Sequence, residues 1–483
     1  MTDIAAQDKA VPMPGPAQVE RAMRLTYAQM MLGAVFGAST GGMFLIGFAL
    51  AMGADNIVLG LLMSVPMCLV VFQFLPAWLV ERGVSRKKVT VVFAFLAPLF
   101  WFLIAAIPLL GGSLSKTGRL GILLGVICLV TFSSQFAGNA RSSWLGELIP
   151  AERRGRFFGY CTMFAGIVGA VFAILEGRFL DFVSTHGLLA FTALFLVGAA
   201  FGLAAAAMLV PQPDCPLPGG AGKFPFMAHV RATFRNRELR LLAFVHAIIA
   251  LGNIAGPFGP AYCLRDVGLS FFGLGLLNAV STAAVLIASP FWGRLADRFG
   301  CRPVLVLGLC ILAPTSCVWL FVPPHSPHMA YLLLPWTNFI GGTGGAGVGV
   351  AISTMIYKLS KPEGRSVQFA TYSVFVTLVG MPMPYFGGWL VSHLQAAGYP
   401  VDLRITFWLW SLFIAAAAAL AWRLKEPQSV GVRALVFGHF PDMIARFWDS
   451  ITSTPAPDAA QRLQWPGSRG KDAQQGPEDD KRA

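Results

Sequence analysis

The chain has 483 residues, 56% of them hydrophobic and 12% charged, with a formal net charge of +13. A soluble domain carries roughly 25% charged residues to cover its surface, so a soluble globular protein is excluded. The Lys and Arg excess lies in short loops between apolar runs rather than along one helix or patch, which argues against a nucleic-acid surface.

Residues 1–24 are polar and contain Pro; they read as a cytoplasmic tail, not a cleaved signal, because the apolar run that follows is too long for a signal core. Twelve apolar runs then succeed one another at 25–52, 57–80, 89–110, 120–147, 157–180, 188–210, 241–263, 272–295, 304–322, 331–359, 367–394 and 405–424. About 20 helical residues rising ~1.5 Å each cross a ~30 Å hydrocarbon core. The fold expected is an all-α membrane protein of twelve transmembrane helices in two six-helix bundles, 25–210 and 241–424. Between them, 211–240 reads as a cytoplasmic linker, Pro/Gly-rich at first and then an amphipathic basic helix at the membrane surface. The tail, 425–483, is expected to be cytoplasmic. It places Phe440, Ile444, Phe447, Trp448 and Ile451 on one face of an interfacial helix, followed by disorder from about Pro455.

Charge sets the orientation. With the N-terminus inside, the outer loops hold only Lys116, Arg119, Arg178, Arg265 and Arg404. The inner loops hold far more, among them Arg82, Arg86, Lys87 and Lys88, Arg153, Arg154 and Arg156, and Arg294, Arg298 and Arg302. This positive-inside bias places both termini in the cytoplasm of an inner membrane. A cysteine replacing Lys223 is therefore expected to react with an impermeant thiol reagent from the cytoplasmic face alone; reaction from outside would invert the topology.

The chain repeats itself at an offset near 215. Gly53, Leu59, Gly60, Leu61, Leu62 and Val65 match Gly268, Leu274, Gly275, Leu276, Leu277 and Val280. Six helices per unit return each repeat to the same side, so the repeats are parallel, a known transporter plan. Between the eighth and ninth runs stands Gly293-Arg-Leu-Ala-Asp297-Arg298-Phe-Gly300-Cys-Arg302. Gly293 permits close helix approach, Asp297 can oppose a helix N-terminus, and the arginines can pair with acids on neighbouring helices. In the first half the corresponding loop is degenerate: Glu81, Arg82 and Arg86 stand where Asp297, Arg298 and Arg302 stand, and the leading Gly is replaced by Ala77. The fourth–fifth hairpin carries Glu147 and Arg154, and the matching tenth–eleventh turn carries Glu363 and Arg365. These four are candidates for pairs that alternate between the halves at an inner gate; the plainer reading is a turn with solvated charges.

The signature loop, the fourth–fifth hairpin and the parallel halves resemble the major facilitator superfamily over residues 25–424. The resemblance implies a cavity lined by helices one, four, seven and ten, and a monomer. Polar residues on those helices are few: Ser39, Thr40, Gln135, Asn139, Arg141, His246, Asn253, Asn338 and Thr343 are the substrate-pathway candidates. Arg141 lies inside the fourth span, where an arginine is costly and faces a cavity or an acid; Glu147 and Glu81 are the acids considered. Glycines crowd helix one (Gly33, Gly37, Gly41), helix seven (Gly252, Gly256, Gly259, with Pro257 and Pro260) and helix ten (341–349). These patterns suit tight packing, a bend, or flexible gating helices. No Asp or Glu stands at mid-membrane; Glu176 is nearest, toward the outer end of the fifth span beside Arg178 and Asp181. Weak dependence on a proton gradient follows, unless Glu176 or His246 serves, and a coupling ion is left open. No metal spacing, cofactor motif or nucleophile–base set is visible, so neither an enzyme nor a bound cofactor is expected. The expectation is a secondary active or facilitative transporter of a small solute, partnered by the lipid bilayer. The alternative is a non-transporting protein of the same fold, acting as a scaffold or as a pigment- or lipid-handling partner.

Overall fold

The computed structural model describes residues 15–73, 75, 84–183, 185, 187–214, 231, 233–360, 365–426 and 429. The N-terminal tail to residue 14, Glu81, Arg82, Glu363, most of the linker and the apolar face expected at Phe440–Ile451 lie outside the described residues. All regular structure among the described residues is helical.

Twelve helices carry the apolar runs. The first half comprises α1 (Pro16–Ala51), α2 (Asn56–Phe72), α3 (Arg86–Leu110), α4 (Lys116–Leu148), α5 (Ala151–Phe182) and α6 (Leu188–Ala207). The second comprises α7 (Arg237–Val267), α8 (Phe271–Phe299), α9 (Cys301–Phe321), α10 (Pro327–Leu359), α11 (Val367–Ala396) and α12 (Arg404–Ala421). Apart from α2, each of these is long and apolar enough to cross a membrane by itself. Helix α1 starts well ahead of its apolar run. Pro16 stands at its first turn, where a missing N–H costs nothing, and Glu20 pairs with Arg24 one turn on.

Two glycine patterns resolve differently. Gly33 and Gly37 do not form the close-packed face expected of them: a Cβ at Gly37 would meet open space, and one at Gly33 only the Gln29 side chain of its own helix. Gly41 instead breaks α1. Its extended backbone ends the helix at Thr40, and a new segment restarts at Gly42. In α7 the expected bend is present. The helix passes through a 3-10 turn at Gly252–Ala255, a short piece at Phe258–Ala261 and a π-turn at Tyr262–Val267, because Pro257 and Pro260 supply no donors. Helix α10 is unbroken, and three of its glycines, Gly342, Gly344 and Gly347, serve close packing. Gly344 lies against the Gly308 backbone of α9, and Gly347 against the Trp292 ring of α8.

The main core sits toward the end of the bundle opposite Pro16 and Leu424, called the outer end after the sequence expectation, and is continuous across both halves. Phe44, Phe48, Trp101 and Phe195 of the first half join Phe258, Tyr262 and Phe407 of the second. Toward the inner end, a separate cluster of Trp144, Phe157 and Leu209 belongs to the first half alone.

Candidate functional site: the seam between the halves

The halves meet along two related seams, α2 against α11 and α5 against α8. Each is closed by a pair of glycines, one from either side. At the first, a Cβ on Gly60 would fall closer than 3.0 Å to the Pro384 carbonyl, and one on Gly388 closer than 3.0 Å to the Asn56 carbonyl. At the second, a Cβ on Gly275 would stand 2.8 Å from the Ala173 oxygen, and one on Gly177 2.5 Å from the Phe271 oxygen. Gly60 and Gly275 are a matched pair of the sequence repeat. Gly177 and Gly388 are related in the same way, although neither was singled out in the sequence. Backbones can approach this closely only where no side chain intervenes.

Polar contacts reinforce the seams near the outer face. Asp181 of α5 accepts the backbone N–H of Phe271 (3.0 Å) and Phe272 (2.9 Å), placing an anion at the positive N-terminus of α8. Arg265 donates to Asn56 Oδ1 at 2.9 Å, and the Tyr385 N–H donates to Ser64 Oγ at 2.9 Å. Phe271 stacks on Phe44. A cavity of about 450 Å³ opens beside these contacts, lined in part by Asp181, Arg265, Ser270 and Phe271.

The pathway candidates separate into groups. Ser39 is buried and hydrogen-bonded to Glu176, which is itself only 8% exposed; its second carboxylate oxygen has no partner. Glu176 is therefore a buried carboxylate at the α1–α5 contact, not a surface neighbour of Arg178 and Asp181. Thr40, Asn338 and Thr343 bond carbonyls of their own helices. His246 bonds Tyr372 at 3.0 Å, joining α7 to α11. Asn253 lies in the 3-10 turn of α7, with its amide against Gly380 of α11. Asn139 is half-buried, with an unpartnered amide nitrogen, and Gln135 is half-buried on the same helix. Arg141 does not meet Glu147, and Glu81, the other acid considered for it, lies outside the described residues. Its Nη1 donates to Gln29 at 3.0 Å, and Glu147 pairs instead with Arg86 at 2.9 Å.

At the inner end the polar clusters among the described residues stay within each half. In the first, Arg86 (3% exposed) pairs with Glu147, Ser85 caps α3 and bonds Asp214, and Arg154 donates to the Ile149 carbonyl. In the second, the hub is Glu426, just past α12. One of its oxygens accepts the Arg302 N–H at 2.8 Å at the start of α9; the other meets Lys358 at 3.1 Å. Arg302 also donates to the Trp422 carbonyl at 2.7 Å, and Gly300, at φ +97, lies against Glu426 and Ser429. Glu426 thus holds the N-terminus of α9. Asp297 and Arg298 are exposed, and Asp297 makes no hydrogen bond or ion pair. A Cβ at Gly293 would meet open space, so the close approach expected there is not made. Arg365 starts a helical stretch, and nothing is described of its side chain. Glu426 escaped the sequence reading because it follows the last apolar run; the signal was its place after α12, matching that of Asp214 after α6.

Residues 242–455 match the family model described as Major Facilitator Superfamily. The quinolone resistance protein NorA of Staphylococcus aureus is 27% identical over 182 residues, 37% of this chain and 45% of that protein. Multidrug resistance protein 2 of Bacillus subtilis is 24% identical over 193 residues, 40% of this chain and 44% of that protein. The chain thus spans less than half the length of these curated relatives. Among solved structures, the nucleoside transporter NupG superposes with a TM-score of 0.63 at 12% identity, covering 84% of this chain and all of that one. A bacterial homologue of the human lysosomal transporter Spinster, inward-facing and unoccupied, superposes with a TM-score of 0.60 at 15% identity, covering 84% of this chain and 97% of that one. These superpositions bear on the fold. Its helical architecture and repeated halves, with the family-model match over its second half, make the chain similar to the major facilitator superfamily in fold and, over residues 242–455, in sequence.

Proposed function

We propose that the chain is a transmembrane transporter that carries a small solute by alternating access between its two halves. The observation that carries this reading is the division of contacts. Glycine seams and a few hydrogen bonds join the halves toward the outer face, while the inner ion pairs run within each half. Such halves can part at one end without breaking their own cores. The relatives named for quinolone and multidrug resistance favour an amphipathic organic solute moved outward. The test is transport of a fluorescent quinolone into inside-out proteoliposomes of the purified chain. Gradient-dependent movement supports the reading; binding without movement would favour a scaffold of the same fold.

In this reading Asp297 acts in the state that closes the inner end. There it meets the N-terminus of α5, which carries Arg153, Arg154 and Arg156. A charge-assisted contact of this kind contributes on the order of 1–3 kcal/mol, and about 1.4 kcal/mol shifts a two-state population roughly tenfold. Asp297→Asn is expected to favour the inward-open state and slow turnover about tenfold, with solute affinity little changed. Glu81→Gln, in the degenerate copy, is expected to do less. Labelling of a single cysteine near the inner mouth, measured in both variants, checks this; equal labelling in Asp297→Asn and the unmodified chain would reduce the loop to a topological signal.

A further inference from the structure

Within the first half, α1, α3, α4 and α6 line a half-open cavity of about 180 Å³. Its polar lining is Gln29, Thr90, Ser134 and Arg141; the remaining lining residues are apolar or small. Arg141 enters from α4 and donates one guanidinium N–H to Gln29 Oε1, itself on a side chain 8% exposed.

Among the described residues no carboxylate balances this charge. Glu20 pairs with Arg24 at 2.6 Å on the exposed end of α1, and Glu147 pairs with Arg86. The four helices hold no other acid; their remaining ionisable groups are Arg21, Tyr27, Lys87, Lys88, Lys116, Arg119 and Cys128. A lone cation held inside a membrane bundle is costly unless an opposite charge joins it.

Thr90 supplies a second, independent observation. It is 0% exposed, lines the cavity, and its hydroxyl has no hydrogen-bond partner. Helical threonines elsewhere in this chain, such as Thr26 and Thr371, satisfy themselves on the carbonyl four residues back. Thr90 does not. The cavity therefore presents the free N–H groups of Arg141, the Thr90 and Ser134 hydroxyls and the Gln29 amide, while the one strong side-chain acceptor, Gln29 Oε1, is already taken. A donor-rich cavity beside one uncompensated positive charge suits one negative charge. Its volume exceeds the roughly 30 Å³ that a water occupies in the liquid, so a small polyatomic group also fits.

We propose that this cavity binds a small monovalent anion, with Arg141 supplying the charge and Thr90 and Gln29 supplying orienting hydrogen bonds. The anion is either a free inorganic ion or the carboxylate of a larger solute. A divalent anion would leave one charge unbalanced and is disfavoured. The inference does not depend on transport; it requires only that the chain bind.

The test uses the purified full chain in nanodiscs, at constant ionic strength with a bulky sulfonate as background anion. Thermal unfolding is followed while chloride, acetate or sulfate replaces the background, and bound radioactive chloride is counted by equilibrium dialysis. The expected result is saturable stabilisation by chloride or acetate, stronger than by sulfate, with about one anion bound per chain. Stronger stabilisation by chloride identifies an inorganic ion; stronger stabilisation by acetate identifies a carboxylate. Arg141→Gln is expected to abolish it, and Thr90→Val, nearly isosteric and with Arg141 intact, to weaken affinity about tenfold. Should Arg141→Gln fail to fold, Thr90→Val carries the test. The proposal is overturned if no anion stabilises the chain, if sulfate matches the monovalent ions, or if the effect is unchanged in Thr90→Val.

Discussion

Gly388→Ala is expected to hold the outer face ajar and to reduce transport at least tenfold. A Cβ at this position would lie closer than 3.0 Å to the carbonyl oxygen and carbon of Asn56. Both are backbone atoms at the start of α2, so no flexible side chain can swing away. Forcing a methyl group into a well-packed contact costs about 1–3 kcal/mol. Within a single rigid core that cost would appear as lost stability. In the proposed alternating-access cycle the contact joins two bodies that part, so separation at the outer end relieves it. About 1.4 kcal/mol moves such an equilibrium roughly tenfold. Gly177→Ala is expected to act alike, because its Cβ would stand 2.5 Å from the Phe271 oxygen at the related seam. Gly349→Ala, where nothing lies within 4 Å, is the control and is expected to be silent. The readout is a cysteine at Leu269, buried in the outer core, labelled by an impermeant reagent from outside. Faster labelling in Gly388→Ala and Gly177→Ala, but not in Gly349→Ala, is expected. Unchanged labelling in all three would mean that the seam is a fixed core rather than a gate.

The same glycines mark how far the sequence could be read. The twelve membrane helices were legible because apolar length is a local property, and the bend in α7 because proline acts on its own backbone. Gly60 and Gly275 were visible as partners in a repeat, but what they touch was not. Gly60 meets Pro384, far along the chain, and no local pattern encodes that approach. Gly177 and Gly388 looked like ordinary helical glycines. Conversely, Gly33 and Gly37 had the right spacing and no neighbour to pack against; spacing proposes a face, but only another helix makes it a contact. Glu147 as a partner for Arg141 was misjudged for a related reason. Glu147 is near it in sequence, yet six residues turn a helix far enough to face Arg86 instead.

Glu426→Ala is expected to lower thermal stability by about 2–4 kcal/mol and to loosen the start of α9 from the end of α12. The buried Glu426 side chain serves two partners at once: the Arg302 N–H, one of the unsatisfied donors of a helix N-terminus, and the Lys358 ammonium. Losing an acceptor from a buried donor costs about 1–3 kcal/mol, and the favourable placement of an anion at the helix end adds about 0.3–1 kcal/mol. Lys358 is about half exposed, so water can replace its share. Lys358→Met is accordingly expected to cost under about 1 kcal/mol, the range of an exposed ion pair. Glu426→Gln should fall between the two, because an amide oxygen still accepts the Arg302 N–H but brings no charge. The order Ala, then Gln, then Met, read from thermal unfolding in detergent, tests where the energy resides. If Lys358→Met proves as damaging as Glu426→Ala, the cluster is an ion pair that happens to touch a helix. If the predicted order holds, Glu426 is chiefly the cap of α9. The ends of α9, α10 and α12 gathered by Glu426 then move as one body, as a rigid second half requires.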